Sequence, residues 1–239
     1  MSTLDEVTAV ILAGGLGTRL HTVVADRPKV LAQVRGKPFL AYLLEQVAGA
    51  SMRHCVLCVG YLGEQIRAVF GDTYAGMRLV YSQESMPLGT AGALRLALPL
   101  SQSDTVLVMN GDSFCGVNLS DLWAWHSRLN ANATLVLVET SNTIRYGRVS
   151  VAANGTIVGF DEKKDCEGLG WINAGVYVLR HSLLENIPAG RAVSLETEMF
   201  PAWIDQGLYG YQSTGRFLDI GTPESYVLAE QFFAAKGAG

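Results

Sequence analysis

The chain has 239 residues, 49% hydrophobic and 17% charged, so it holds ample material for a buried core. A net charge of −4 argues against nucleic acid as a partner. No apolar run reaches the roughly 18 residues of a membrane span, and the acidic start "MSTLDEV" has no secretory core, so a cytoplasmic protein is expected.

In chain order, "TAVILA" reads as a buried strand leaving into glycines, and a helix follows from about Pro38. "HCVLCVG" is a strand, "LGEQIRAVF" a helix, "RLVYSQ" a strand, and another helix starts at about Thr90 before the strand "DTVLVMNGD". This alternation predicts βαβ units in a parallel sheet with helices on both faces. "NLSDLWAWHSRLNA" reads as a helix capped by Asn118 or Ser120, and "ATLVLVET" as a strand. Beyond Thr140, "RYGRVSV", "AANGTIVGFDEK" and "GWINAGVYVL" read as shorter strands around an Asn154-Gly155 hairpin turn. The expected fold class is therefore α/β, a Rossmann-like open mixed sheet, mostly parallel with an antiparallel part in the second half. Of the four cysteines, Cys55 and Cys58 stand three apart on one strand and face opposite sides, with no second pair at zinc spacing. All four are expected to be core residues in a reducing compartment.

"VILAGGLGTRL" raises the functional question, because three glycines in four positions weaken any regular element. A Walker A loop needs G-x-x-x-x-G-K-[ST], which is missing here. A dinucleotide fingerprint needs a third glycine where Leu20 stands, and an acidic residue near Arg35. What remains is a loop whose bare backbone wraps a nucleoside triphosphate with cations close by. Arg19 supplies a fork for phosphate oxygens, and Lys29, fixed behind Pro28, a compact point charge.

With Leu12–Leu20, Pro28-Lys29 and Gly36-Lys37-Pro38 matching L-A-G-G-x-G-T-R-L, P-K and G-K-P, the chain resembles the sugar-phosphate nucleotidylyltransferases. "PLGTAGAL", "NGD", "YGRV", "EKK", "NAGVYVL" and "FLDIGTP" extend the resemblance over nearly the whole chain. His21, and Val30 where proline often follows the lysine, are its small departures. The resemblance implies a nucleotide-diphospho-sugar transferase type of fold in one domain, 1–239. About 1–115 would bind nucleotide and about 116–235 the sugar phosphate. The chain stops soon after the last motif, so the β-helical extension of longer relatives is not expected. The implied reaction is attack of a sugar 1-phosphate on the α-phosphate of an NTP, with pyrophosphate leaving and Mg²⁺ as cofactor. Catalysis by such an enzyme rests on positioning and charge stabilisation.

Matching motifs assign Leu12, Gly14, Gly15, Gly17, Thr18, Arg19, Glu84, Gly89 and Thr90 to the nucleotide, with Gly89 permitting close approach to the base. Arg19, Lys29, Asp112 and Lys163 are the implied catalytic residues, and Asp112 with Asp219 the implied metal ligands. Asn110, Gly147, Glu162, Lys163 and Asn173 are implied for the sugar, with Gly111 in the same cleft. Glu196 is open between the sugar and a helix start, and Trp171 between pocket wall and core. Trp123, Trp125 and His126 read as packing or surface positions. Glu84 bears on the base: a carboxylate accepts two parallel hydrogen bonds, and guanine offers adjacent N1–H and 2-amino donors, whereas uracil and thymine offer one. Gln83 is its neighbouring rival. The expected partners are GTP and a sugar 1-phosphate, with a homodimer as the candidate assembly, and neither nucleic acid nor membrane. The motifs most resemble the members that guanylylate D-glycero-α-D-manno-heptose 1-phosphate. Mannose-1-phosphate guanylyltransferase, glucose-1-phosphate thymidylyl- or cytidylyltransferase, and a catalytically silent sugar-nucleotide-binding subunit stand as alternatives.

Overall fold

The computed structural model describes residues 3–15, 26–141, 143–161 and 168–234, except the side chain of Ile144. Its strands are β1 (Thr8–Leu12), β2 (Gln33–Val34), β3 (Lys37–Pro38), β4 (His54–Val59), β5 (Thr73–Tyr74), β6 (Met77–Gln83) and β7 (Thr105–Asn110). They continue with β8 (Ser113–Cys115), β9 (Ala133–Thr140), β10 (Arg148–Val151), β11 (Ile157–Asp161), β12 (Gly170–Arg180), β13 (Leu208–Ser213) and β14 (Phe217–Asp219). The helices are α1 (Phe39–Gly49), α2 (Gly63–Phe70), α3 (Gly89–Ala97), α4 (Leu119–Leu129), α5 (Thr143–Tyr146), α6 (His181–Glu185), α7 (Phe200–Ala202) and α8 (Pro223–Ala234).

Eight strands form one sheet in the order β13-β9-β12-β7-β1-β4-β6-β5. β1 pairs in parallel with both β4 and β7, and β4 with β6, which is the βαβ half read from the sequence. β12 runs antiparallel between β7 and β9, so the mixed part falls where it was expected. The strands are apolar on both faces because both faces are covered. Ala9 and Ile11 of β1, Leu107 and Met109 of β7 and Val176 and Val178 of β12 pack into one cluster with α1, α2, α4 and α8. Val10, Val106, Val108 and Leu179 point the other way, onto α3, α6 and α7. Cys55 belongs to the first cluster and Cys58 to the second, so the C-x-x-C straddles the sheet as its spacing predicts. Burial pushes the Cys58 thiol up to about 12 and the Cys115 thiol up to about 11, which leaves both protonated and inert.

Local signals account for several boundaries. Asn118, rather than Ser120, caps α4 by accepting from the Ser120 and Asp121 amides at 2.9 and 3.3 Å. Asn154-Gly155 does turn the β10–β11 hairpin, with Gly155 at φ +86° and the Asn154 carboxamide oxygen accepting from the Thr156 amide. Two expectations need correction. "RYGRVSV" is not one strand: its first residues close α5, where the Gly147 amide donates to the Thr143 carbonyl, and only Arg148–Val151 is extended. "GWINAGVYVL" is not short: β12 has 11 residues, carried past a bulge between Asn173 and Tyr177 that needs Gly175 at φ +74°.

Candidate active site

Strands β1, β4, β6 and β7 all end at one edge of the sheet, and the loops that leave them enclose a cleft of about 500 Å³. In an open α/β sheet this is the edge where ligands bind. The strand exits approach closely enough to require glycine. The Gly111 amide donates to the Leu12 carbonyl at 2.9 Å, and a Cβ at Gly111 would stand 2.6 Å from that oxygen. Gly14 and Gly60 pack against each other beside the Glu84 carboxylate, where a Cβ on either would lie 2.9 or 2.8 Å from Glu84 Oε1. Gly14 and Gly60 therefore make room for the Glu84 side chain. Gly60 was missed in the sequence, although its place directly after the strand "HCVLCV" was the available signal.

Glu84 follows β6 and lines the cleft beside these glycines. Its Oε2 accepts from the Leu88 amide at 3.1 Å. Burial raises its pKa above the ordinary 4.5, opposed by that one amide bond. Gln83 sits outside the cleft with its carboxamide donating to the Gly60 carbonyl at 2.8 Å, so the structure brings Glu84 to the cleft and not its rival. Gly89 lines the cleft at φ +70°, but the neighbour that excludes a Cβ is the Val193 carbonyl at 2.5 Å. Its bareness thus serves the packing of α3 against the chain beyond α6. Thr90 donates to Glu196 Oε2 at 2.8 Å, and Glu196 also accepts from the Ser194 hydroxyl. Glu196 consequently faces the cleft, while the helix-start bond to the Ser194 amide falls to Glu198.

Asp112 lines the cleft, and Asp219 does not but follows on the chain paired beside it. Lys29, a tenth exposed, donates from Nζ to Asp112 Oδ2 at 2.7 Å. β8 pairs antiparallel with β14, aligning Asp219 with Ser113, and the Ile220 amide donates to the Asp112 carbonyl at 2.9 Å. Asp112, just before β8, and Asp219, at the end of β14, are thus brought onto adjacent stretches of chain although 107 positions apart in the sequence. Asp219 Oδ2 accepts from Arg145 at 2.9 Å and Oδ1 from the Gly221 amide. Arg145 went unnoticed in the sequence, where nothing local distinguishes it from other arginines. Among the described residues no group of three or more His, Cys, Asp or Glu side chains stands together. Two hard carboxylates fit Mg²⁺, which is commonly held by one or two carboxylates with substrate phosphates completing the set.

Asn110 and Asn173 converge on the buried Tyr177 hydroxyl, donating from their carboxamides at 3.3 and 2.9 Å. Asn173 Oδ1 accepts from the Gly175 amide, whereas Asn110 Oδ1 is buried without a partner. Burial holds the Tyr177 phenol well above 10. Gly147, at φ +80°, ends α5 beside Arg145. Trp171 packs against the core and does not line the cleft. Gly15 lines the cleft with open space at its Cα. Gly17, Thr18, Arg19, Glu162 and Lys163 lie outside the described residues.

Residues 8–236 match the family model described as nucleotidyl transferase, and the chain belongs to this family. Its relatives narrow the class. The chain is 37% identical over 226 residues to mannose-1-phosphate guanylyltransferase of Mycobacterium tuberculosis, covering 93% of this chain but only 63% of that one. It is 34% identical over 224 residues to D-glycero-alpha-D-manno-heptose 1-phosphate guanylyltransferase of Aneurinibacillus thermoaerophilus, covering 93% of this chain and 96% of the relative. The fold matches HddC from Yersinia pseudotuberculosis complexed with GMP-PN at a TM-score of 0.82 and 30% identity, over 95% of this chain and 99% of that one.

Proposed function

We propose that this protein transfers a guanylyl group from GTP to a sugar 1-phosphate, with Mg²⁺, giving a GDP-sugar and pyrophosphate. The observation that carries the reading is the Glu84 carboxylate, seated against Gly14 and Gly60 in the same cleft as Asp112. An acceptor-only group at that place complements the paired donors of guanine and repels the carbonyls of a pyrimidine. The guanylyltransferases among the relatives support the same base.

In this reading the GTP base lies against Glu84, and the phosphates run along the glycine loop towards Lys29. The acceptor phosphate oxygen attacks the α-phosphorus, the bond to the β-phosphate oxygen breaks, and pyrophosphate departs. Asp112 and Asp219 would hold Mg²⁺, which supplies neutralisation of the phosphate charge. Arg19 and Lys163 add cationic contacts to the triphosphate and the sugar phosphate. Asn110, Gly147, Glu162 and Asn173 hold the sugar.

We take D-glycero-α-D-manno-heptose 1-phosphate as the acceptor, supported by relatives of that name and by the HddC fold match. The 37% identity to a mannose-1-phosphate guanylyltransferase favours mannose 1-phosphate as the second reading. The two sugars differ by one hydroxymethyl group, so the choice between them rests on the few pocket contacts that meet that group. Pyrophosphate release with GTP held constant and heptose, mannose and glucose 1-phosphates compared should put heptose first in kcat/KM. Mannose ahead would move the assignment to the second reading.

A further inference from the structure

Each carboxylate placed at the metal site already holds a protein cation. Asp112 is bonded to Lys29 at 2.7 Å and Asp219 to Arg145 at 2.9 Å. Among the described residues the pairing is one to one, so two negative and two positive charges cancel. Arg145 is fixed there from several sides. Its guanidinium also donates to Ser225 Oγ at 3.2 Å and lies 5.1 Å from the Tyr146 ring, and Tyr146 packs edge-on against Phe217 of β14 at 5.5 Å. The Arg145 and Asp219 side chains are only 29% and 19% exposed, so solvent screens this pair less than a surface one.

We infer that Arg145 is a positioning residue that keeps Asp219 from taking a divalent ion on its own, so that the metal is admitted together with a triphosphate. The inference rests on the guanylyl-transfer reading for the identity of the metal carboxylates. A bare cation approaching Asp112 or Asp219 meets a carboxylate already neutralised by its partner, and must displace an ammonium or a guanidinium from it. A metal–triphosphate complex brings phosphate oxygens that accept those same cations, which frees the carboxylates as the metal arrives. Arginine suits the task because it cannot be deprotonated and its fork moves from one oxyanion to another without loss of charge. The device makes metal and nucleotide binding mutually dependent, as linkage requires.

Mn²⁺ binding to the nucleotide-free protein, read by electron paramagnetic resonance of the free ion, tests this without any turnover. Arg145→Gln removes the charge and should tighten Mn²⁺ binding roughly tenfold over the unmodified protein, the scale of removing one charge a few ångströms from a ligand. Arg145→Lys keeps the charge and should bind like the unmodified protein. The double variant Arg145→Gln with Asp219→Asn should lose the gain, which places the effect at that carboxylate. Circular dichroism melts show that each variant is folded before titration. Unchanged or weaker Mn²⁺ binding in Arg145→Gln would overturn the inference. So would an equal gain in Arg145→Lys, or a gain that survives Asp219→Asn. None of these titrations depends on which triphosphate or sugar is used, so a failure here is distinct from failure of guanylyl transfer.

Discussion

Glu84 carries the base assignment, and its surroundings make two predictions. Among the described residues no cation pairs with it, so burial dominates and its carboxyl holds a proton to higher pH than an ordinary glutamate. Only the ionised form accepts both guanine donors. KM for GTP should therefore rise on acidification through a pH above 4.5, and this rise should vanish in Glu84→Gln. That variant exchanges one charge-assisted bond for a repulsive amide, so kcat/KM for GTP should fall roughly 30-fold, with far less loss for UTP. Equal losses for the two nucleotides would remove Glu84 from the base site. Asp112 makes a different prediction. Replacing it with alanine removes the partner of a Lys29 side chain that is a tenth exposed, but Asp112 itself is 46% exposed and water reaches the vacated place, so the loss in stability should be about 1 kcal/mol. Asp112→Asn keeps an acceptor for Lys29, so it should stay folded while pyrophosphate release drops roughly a thousandfold. At this scale the sequence revealed residue types and motifs, and Lys29, Glu84, Asp112 and Asp219 all reach the cleft or its carboxylate side. It hid the contacts made across the fold. Arg145 meets Asp219 74 positions away, and Gly60 matters only because β1 and β4 end side by side.

Elements whose signals are local were read correctly. Six consecutive buried residues make β4, an asparagine caps α4, and Asn-Gly turns β10 into β11. What failed was the stretch "RYG", where strand-forming residues close a helical turn because α5 is held to β14 by Arg145 and Tyr146. Tertiary contact overrode propensity there, and no short window contains it. The α4–β9 contact supplies a test at the same scale. His126 is buried on α4 with Nδ1 2.8 Å from Thr134 Oγ1 and its ring stacked on Trp123. Burial pulls its pKa down from 6.5 to about 4. The unfolded chain binds a proton below pH 6.5 that the folded chain refuses until about pH 4, so stability falls as pH drops through that window. The full effect is on the order of 3 kcal/mol. Denaturant titrations at pH 7 and pH 5 should show a smaller acid loss in His126→Gln than in the unmodified protein. A loss of equal size would place the titrating group elsewhere.

Across the whole molecule, one sheet carries both halves of the proposed chemistry. Its parallel part presents Gly14, Gly15, Glu84 and Asn110 to the cleft, while antiparallel β12 brings Asn173 to the Tyr177 hydroxyl beside Asn110, and the β8–β14 ribbon brings Asp219 next to the chain that carries Asp112. The parallel half was legible because alternating strands and helices admit few topologies. The candidate cleft was legible to the extent that the motifs of Leu12, Glu84, Asn110 and Asp112 fall at the ends of strands, where a sheet of this class binds ligands. Guanylyl transfer is read directly as pyrophosphate release with Mg²⁺ and heptose, mannose or glucose 1-phosphate across GTP, ATP, CTP, UTP and dTTP. GTP should lead in kcat/KM by at least the roughly 30-fold worth of one charge-assisted hydrogen bond. A pyrimidine triphosphate in the lead would contradict the base pocket drawn around Glu84, and no release from any triphosphate with any of the three sugar phosphates would contradict catalysis itself.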